Sequence, residues 1–279
     1  VAITDDGHCV QNNELMRRAV EYARMVGVPV LDHCQDYNLV GNGVVHEGYW
    51  STLLGLPGWP SAGEEAIVAR NILLAELCDH HIHCQHISAA GSVRALREAR
   101  ARGVKISGEI CPHHIALRDE AIQNFDTNYK MNPPLRGEED VAALLAGIAD
   151  GTLDILASDH APHAKFEKEV EFDQAPFGIL GLETELGLFL DLLVHKTKTI
   201  ELPRLIEMLT VNPARLLRLE AGTLTSGAPA DVTLIDSNLD WTVDANAFET
   251  LSRNTPFDGW NLKGRAVRTI VGGKTVWKL

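Results

Sequence analysis

Apolar runs of strand length alternate with helix-like segments about five times along this chain, with short connections between them. That alternation is the mark of a parallel sheet covered by helices, because a parallel strand pair needs a long crossover and the crossover is usually helical. The strand-like runs are Val1–Thr4, Val28–Leu31, His81–Ile87, Val104–Ile110 and Leu153–Ala157. Helical spacing marks Asn13–Val26, Ala62–Cys78, Ser92–Arg102, Glu138–Ala149 and Leu182–Val194. In the first helix Leu15, Ala19, Tyr22, Ala23 and Val26 are expected on one face, with Asn13 as N-cap. Ser61 and Glu64 have capping-box spacing at the start of the second. Before it lies a Gly-rich loop with Trp50 and Trp59, expected to be loop anchors. Closure of a (β/α)8 barrel needs eight such units, so the pattern alone also admits a shorter doubly wound sheet. After about Pro203 the pattern changes. A helix near Leu205–Arg215 gives way to Gly222–Leu224, Ala230–Asp236 and Val267–Trp277, short alternating strands with Gly turns. We therefore expect an α/β unit over residues 1–220 and a small β module over 221–279.

In parallel α/β sheets chemistry sits at the carboxyl ends of the strands. Here those ends carry Asp5-Asp6, Asp32-His33, His86 and Asp159, the last inside the run Leu153 to His163. Asp6, His33, His86 and Asp159 together form a nitrogen and oxygen donor set suited to Zn²⁺, with Mn²⁺ or Co²⁺ as substitutes. A metal with open positions brings bound water to a pKa of about 7. Plainer roles compete at several neighbours. Asp5 could replace Asp6 or shape a turn, and Asp32 and Asp36 suit turn or supporting roles. Strand alternation places Cys84, Ile82 and His80 with His86 and turns His81 and His83 toward the helices as ordinary packed residues. Cys34, Cys84 and Cys111 suit small buried thiols, His113 and His114 structural roles, and His160 and His163 the orienting of Asp159 or contact with substrate.

Composition excludes some partners. A net charge of −13 argues against nucleic acid and anionic membranes, and no apolar run approaches the roughly 20 residues of a membrane span. The five cysteines are scattered without a Cys-x-x-Cys pair, as expected of reduced thiols in a cytoplasmic protein. Val1–Thr4 has the character of a strand end, so further N-terminal sequence is expected.

Taken in order, several motifs resemble the dihydroorotases of the amidohydrolase superfamily, specifically the larger class I bacterial type. They are Thr4-Asp5-Asp6-Gly7, Asp32-His33-Cys34, Cys84-Gln85-His86-Ile87-Ser88, Pro112-His113-His114, Asn132-Pro133-Pro134-Leu135-Arg136, Ser158 to His163, Ala175-Pro176-Phe177-Gly178, Arg253 to Phe257 and Gly264-Arg265. The similarity extends over essentially the whole chain. It implies a distorted (β/α)8 barrel, here its five or so C-terminal βα units, with a small β-sandwich. It also implies reversible cyclisation of N-carbamoyl-aspartate to dihydroorotate in pyrimidine synthesis.

By the same resemblance Asp6 would be a bridging metal carboxylate, His33 and His86 would bind one zinc, and Asp159 would bind the other and act as general acid/base. Asn132 would hydrogen-bond the pyrimidine ring, His163 would meet the substrate carboxylate, and Phe177-Gly178 would line the substrate with backbone contacts. The His-x-His pair of such enzymes has no counterpart here, so one or two zinc ions are expected, the second incompletely held, and the chain alone is expected to be inactive. The segment Ala164–Gln174, with few apolar anchors, is expected to move over substrate. A homodimer and association with aspartate carbamoyltransferase are the implied partners. The rival readings are a hydantoinase, dihydropyrimidinase or allantoinase, expected to bridge its metals with lysine, and a non-catalytic subunit scaffolding aspartate carbamoyltransferase.

Overall fold

The computed structural model describes residues 1–279. Strand β1 (Ile3–Thr4), two β-branched residues suited to an extended backbone, pairs in parallel with β2 (Val30–Asp32). The segment after β2 holds more order than the expected loop: β3 (Val45–His46) and β4 (Gly58–Trp59) pair with each other, and a short helix at Tyr49–Leu54 lies between them. Trp59 is buried there, edge-on to Phe177, whereas Trp50 is half-buried. The parallel sheet continues with β5 (Ile82–Cys84), β6 (Ile106–Ile110) and β7 (Ile155–Leu156) in the order β1-β2-β5-β6-β7. Every pair in it is parallel and each strand follows its neighbour through a helix-bearing crossover.

One apolar layer joins sheet and helices. Ile67, Val68 and Ile72 from the helix Ala62–Cys78, Val93 and Leu96 from Ala90–Ala101, and Leu144 and Ile148 from Glu138–Ala149 pack on Cys84, Ile106, Ile110 and Leu156. Gly108 allows this approach, since a Cβ there would come within 2.9 Å of Leu96.

Two helical expectations are corrected. Helix Asn13–Val26 is capped by Asn12, whose side chain accepts from the Leu15 N–H, and it buries Met16, Val20 and Ala23. Leu15, Tyr22 and Val26 are exposed; both sets have helical spacing, and it is the set Met16, Val20 and Ala23 that meets the sheet. Ser61 makes no side-chain cap. Glu64 instead turns inward and accepts from the backbone N–H groups of Ser88 and Ala89.

The helix Glu185–Phe189 widens into a π-helical stretch, Leu190–Lys196, and the helices Leu202–Leu209 and Val211–Leu216 replace the single one expected. Strands β8 (Val232–Thr242), β9 (Asn261–Val271) and β10 (Lys274–Lys278) then form one antiparallel sheet in the order β10-β9-β8. Gly222–Leu224 forms no strand, and Leu224 is exposed. No helix is long and apolar enough to cross a membrane.

Candidate metal centre

The carboxyl ends of β1, β2 and β5 bring Asp6, His33 and His86 together. His33 Nδ1 and His86 Nε2 are 2.8 Å apart, and Asp6 Oδ1 lies 3.5 Å from the first and 3.6 Å from the second. Both imidazoles are buried while half of the Asp6 side chain faces solvent, so the site is approached from the Asp6 side.

Asp5 is engaged elsewhere and does not join this trio. Its two oxygens accept from the backbone N–H groups of His33 at 2.9 Å and Val10 at 2.7 Å. Asp32 faces away, toward the helices, in a buried pair with Arg70 at 3.0 Å and a hydrogen bond from Asn71. Burial pushes its carboxyl up to about 6 against the pull of Arg70. Asp36 caps the short helix Tyr37–Val40.

A neighbour overlooked in the sequence is Gln35. Its Oε1 is 2.8 Å from His33 Nε2 and also accepts from Asn132 Nδ2 at 3.1 Å. An amide oxygen can only accept, so His33 carries its proton on Nε2 and keeps the Nδ1 lone pair for the centre. The signal was available: Gln35 lies two residues from His33, on the same side of an extended segment.

The electrostatics select for positive charge here. The adjoining His33 and His86 imidazoles hold the Asp6 carboxyl well below the usual carboxylate range. Burial would push His86 down, but the Asp6 hydrogen bond and the charges of Asp159, Glu109 and Asp6 lift it to about 9. Two neutral-capable imidazoles and a carboxylate converging within hydrogen-bond range of one point are a donor set for a divalent cation.

Asp159 follows β7 in a left-handed turn with φ of 49°. Burial raises its pKa, the His86 charge opposes this, and Asp6 and Glu109 add to the rise, so Asp159 shares the electrostatic neighbourhood of the three donors without joining their close group. His160 Nδ1 accepts from the Gly181 N–H and so orients the chain after Asp159.

Of the expected substrate residues, His163, Phe177 and Gly178 form a wall of their own. His163 Nε2 donates to Phe177 O at 2.8 Å. The Gly178 N–H donates to Lys130 O, and its oxygen accepts from Lys168 Nζ and Asn254 Nδ2. With φ of 106°, Gly178 has room only for hydrogen, since a Cβ would lie 2.5 Å from that of Ala161. Asn254 ties this wall together, its Oδ1 accepting from the His163 N–H and its Nδ2 donating to Ala161 O. The stretch 164–174 has anchors that its composition hid. Phe172 is buried, and Lys168 is pinned by Pro176 and Gly178 carbonyls.

His81 and His83 correct the expected strand parity. Ile82 and Cys84 meet the helices, while His81 and His83 occupy the opposite face, both hydrogen-bonded to Ser107. The strand ends at Cys84, and His86 has φ of 33°, so counting by twos back from His86 crosses a break in the alternation. Cys111, His113 and His114 form another buried group of donors, in which His114 Nε2 donates to Pro133 O.

A model of the amidohydrolase family matches residues 63–276. The chain belongs to the amidohydrolase family. A dihydro-orotase-like family model covers residues 1–92 of this amidohydrolase. It is 53% identical over 276 residues to a dihydroorotase of Pelotomaculum thermopropionicum, covering 99% of this chain and 64% of that protein. With a dihydroorotase of Geobacter metallireducens it shares 50% over 278 residues, covering 100% of this chain and 65% of the relative. The chain thus spans about two thirds of the length of these relatives, 64% and 65%. Among solved structures, an L-hydantoinase from Arthrobacter aurescens superposes with a TM-score of 0.88 at 24% identity, over 99% of this chain and 64% of its own. A dihydropyrimidinase from Brevibacillus agri gives 0.86 at 23%, over 100% and 63%. At such identities the likeness shows a shared fold.

Proposed function

We propose that this amidohydrolase chain carries metal-binding and acid–base residues of a dihydroorotase, a zinc-dependent enzyme interconverting N-carbamoyl-L-aspartate and L-dihydroorotate. The observation that carries the reading is Asp6. A carboxylate stands between His33 and His86, where hydantoinase-type relatives are expected to use lysine, and the dihydroorotases resemble the chain at 50–53% identity.

His33 through Nδ1, His86 through Nε2 and the Asp6 carboxylate would hold the ion. Asp159 is the candidate for a second ion and for general acid/base work. Bound zinc supplies a water that ionises near neutral pH and a positive charge for the carbonyl oxygen under attack. Asp159 takes the proton of the attacking water and passes it to the departing ring nitrogen; its raised pKa brings it closer to the working pH. Gln35 fixes the His33 proton on Nε2 and places the Asn132 amide beside the centre, where it can meet the pyrimidine ring. His163 and the Phe177-Gly178 turn would bound the substrate, with His163 held by its Nε2–H on Phe177 O. Pairing of two copies, or with aspartate carbamoyltransferase, belongs to the same reading and is checked by sedimentation of the whole protein with and without that enzyme.

The test is to assay the whole protein, loaded with zinc, against dihydroorotate, hydantoin and dihydrouracil. Turnover of dihydroorotate alone supports the reading. Turnover of hydantoin or dihydrouracil without dihydroorotate overturns it.

A further inference from the structure

Behind His86 a file of polar side chains runs along the sheet face opposite the helices. The register sets it up: His83 on β5 lies beside Ser107 on β6, and alternation places His81 and Glu109 on the same side. His81 Nε2 is 2.7 Å from Ser107 Oγ, and Ser107 Oγ is 2.7 Å from His83 Nδ1. His83 Nε2 is 3.0 Å from Glu109 Oε2, and the other oxygen, Oε1, accepts from the backbone N–H of His86 at 3.3 Å. The Glu109 carbonyl also accepts from the Ile87 N–H at 3.0 Å. At its far end the file reaches a cleft lined by His81, Ser107, Asp154 and Arg215.

One residue fixes the direction of every bond. Glu109 Oε1 takes the His86 N–H, and its Oε2 faces His83 Nε2. An ionised carboxylate only accepts, so His83 must donate from Nε2 and accept at Nδ1. Ser107 then donates its hydroxyl proton to His83 and accepts from His81 Nε2–H. Burial and the neighbouring His83 push His81 down to about 4, so it is neutral at pH 7 and supplies that single proton.

We propose that Glu109 is a positioning residue for His86, and that the file His83–Ser107–His81 holds the Glu109 carboxylate in place. His86 needs such support. Its φ of 33° lies in the left-handed region, which a non-glycine residue keeps only when its surroundings hold it there. Two acceptors of one residue, the Glu109 carboxylate and carbonyl, grip the N–H groups of His86 and Ile87 and aim the imidazole at His33 and Asp6. The proposal rests on the reading of His86 as a metal ligand.

The experiment measures zinc affinity of the whole metal-free protein by chelator competition, in wild type, Glu109→Ala, Glu109→Gln and His86→Ala, with circular dichroism as the control for folding. Loss of a group that orients a ligand weakens metal binding about 10–100-fold, expected for Glu109→Ala. Glu109→Gln, which keeps an oxygen for the His86 N–H, should stay within about 3-fold of wild type on the same scale. Imidazole ¹⁵N shifts should show His83 protonated on Nε2 in wild type and on Nδ1 in Glu109→Gln, because the amide donates where the carboxylate accepted. Wild-type affinity in Glu109→Ala beside a weakened His86→Ala overturns the positioning role alone. Wild-type affinity in His86→Ala overturns the ligand reading and this proposal with it. An Nδ1–H His83 in the wild type overturns the proposed direction of the file and the role of Glu109 at its head, and it needs no variant that could fail to fold.

Discussion

Gln35 Oε1 stands 2.8 Å from His33 Nε2 and accepts its proton. That bond leaves Nδ1 as the free lone pair of His33 and turns it toward His86. Gln35→Leu is therefore expected to weaken zinc binding about 10–100-fold, whereas Gln35→Glu, which keeps an acceptor at the same place, should stay near wild type. Chelator competition on the metal-free protein measures both. Equal affinity in wild type and Gln35→Leu would remove Gln35 from the site.

Asp159→Asn should keep the fold and the ion assigned to Asp6, His33 and His86 while lowering turnover of dihydroorotate about 10²–10⁴-fold, the ordinary contribution of a general acid/base. The motive is a buried carboxyl with raised pKa next to the three donors. The steady-state kcat together with zinc content per chain decides it; near-normal kcat in the variant would reassign the proton transfer.

Arg70 pairs with a completely buried carboxylate, Asp32. Arg70→Met leaves that carboxylate without a cation, and breaking a buried pair from one side costs about 3–5 kcal/mol. Arg70→Met combined with Asp32→Asn should recover much of the loss, because no charge is then stranded. Urea unfolding of wild type, single and double variants provides the comparison, and equal midpoints for single variant and wild type would contradict the pairing.

Acid should destabilise the protein through its neutral buried histidines. Burial pushes His114 down to about 3, and burial, with Arg136 and His83 respectively, pushes His46 and His81 to about 4, against 6.5 for an ordinary imidazole. Between those values the unfolded chain binds more protons than the folded one. Stability is therefore fully present above pH 6.5 and falls as pH drops toward 3, by about 1.4 kcal/mol per pH unit for each proton. His114→Gln, which keeps an N–H for Pro133 O, should flatten that slope by about one proton in metal-free protein. An unchanged slope would show that His114 is not the residue resisting protonation.

How far the sequence spoke depended on what each residue touches. Asp6, His33 and His86 were legible because the ends of parallel strands meet by topology, whatever the details of packing. Asp5 and Asp6 could not be told apart, since only the folded loop shows which one turns back to the His33 N–H. Glu64 had the spacing of a cap and became a buried acceptor for the turn after His86, a choice made by a contact 24 residues away. His83 was misplaced because strand parity fails where the strand ends, two residues before His86. Gln35 and Glu109 escaped notice for a different reason: both act on a histidine rather than on the centre, and neither residue type announces a metal.

Asn254 has a wider consequence. From beyond β8 it joins the chain after Asp159 to the Phe177–Leu180 turn, through the His163 N–H, Ala161 O, Gly178 O and Leu180 N–H. Asp6, His33 and His86 hang on the ends of the parallel strands, but the segments around His163 and Gly178 are strapped from outside those strands by the C-terminal region, like a jaw hinged to a separate frame. A substitution at Asn254 would therefore release two segments at once, although the residue itself lies in neither of them.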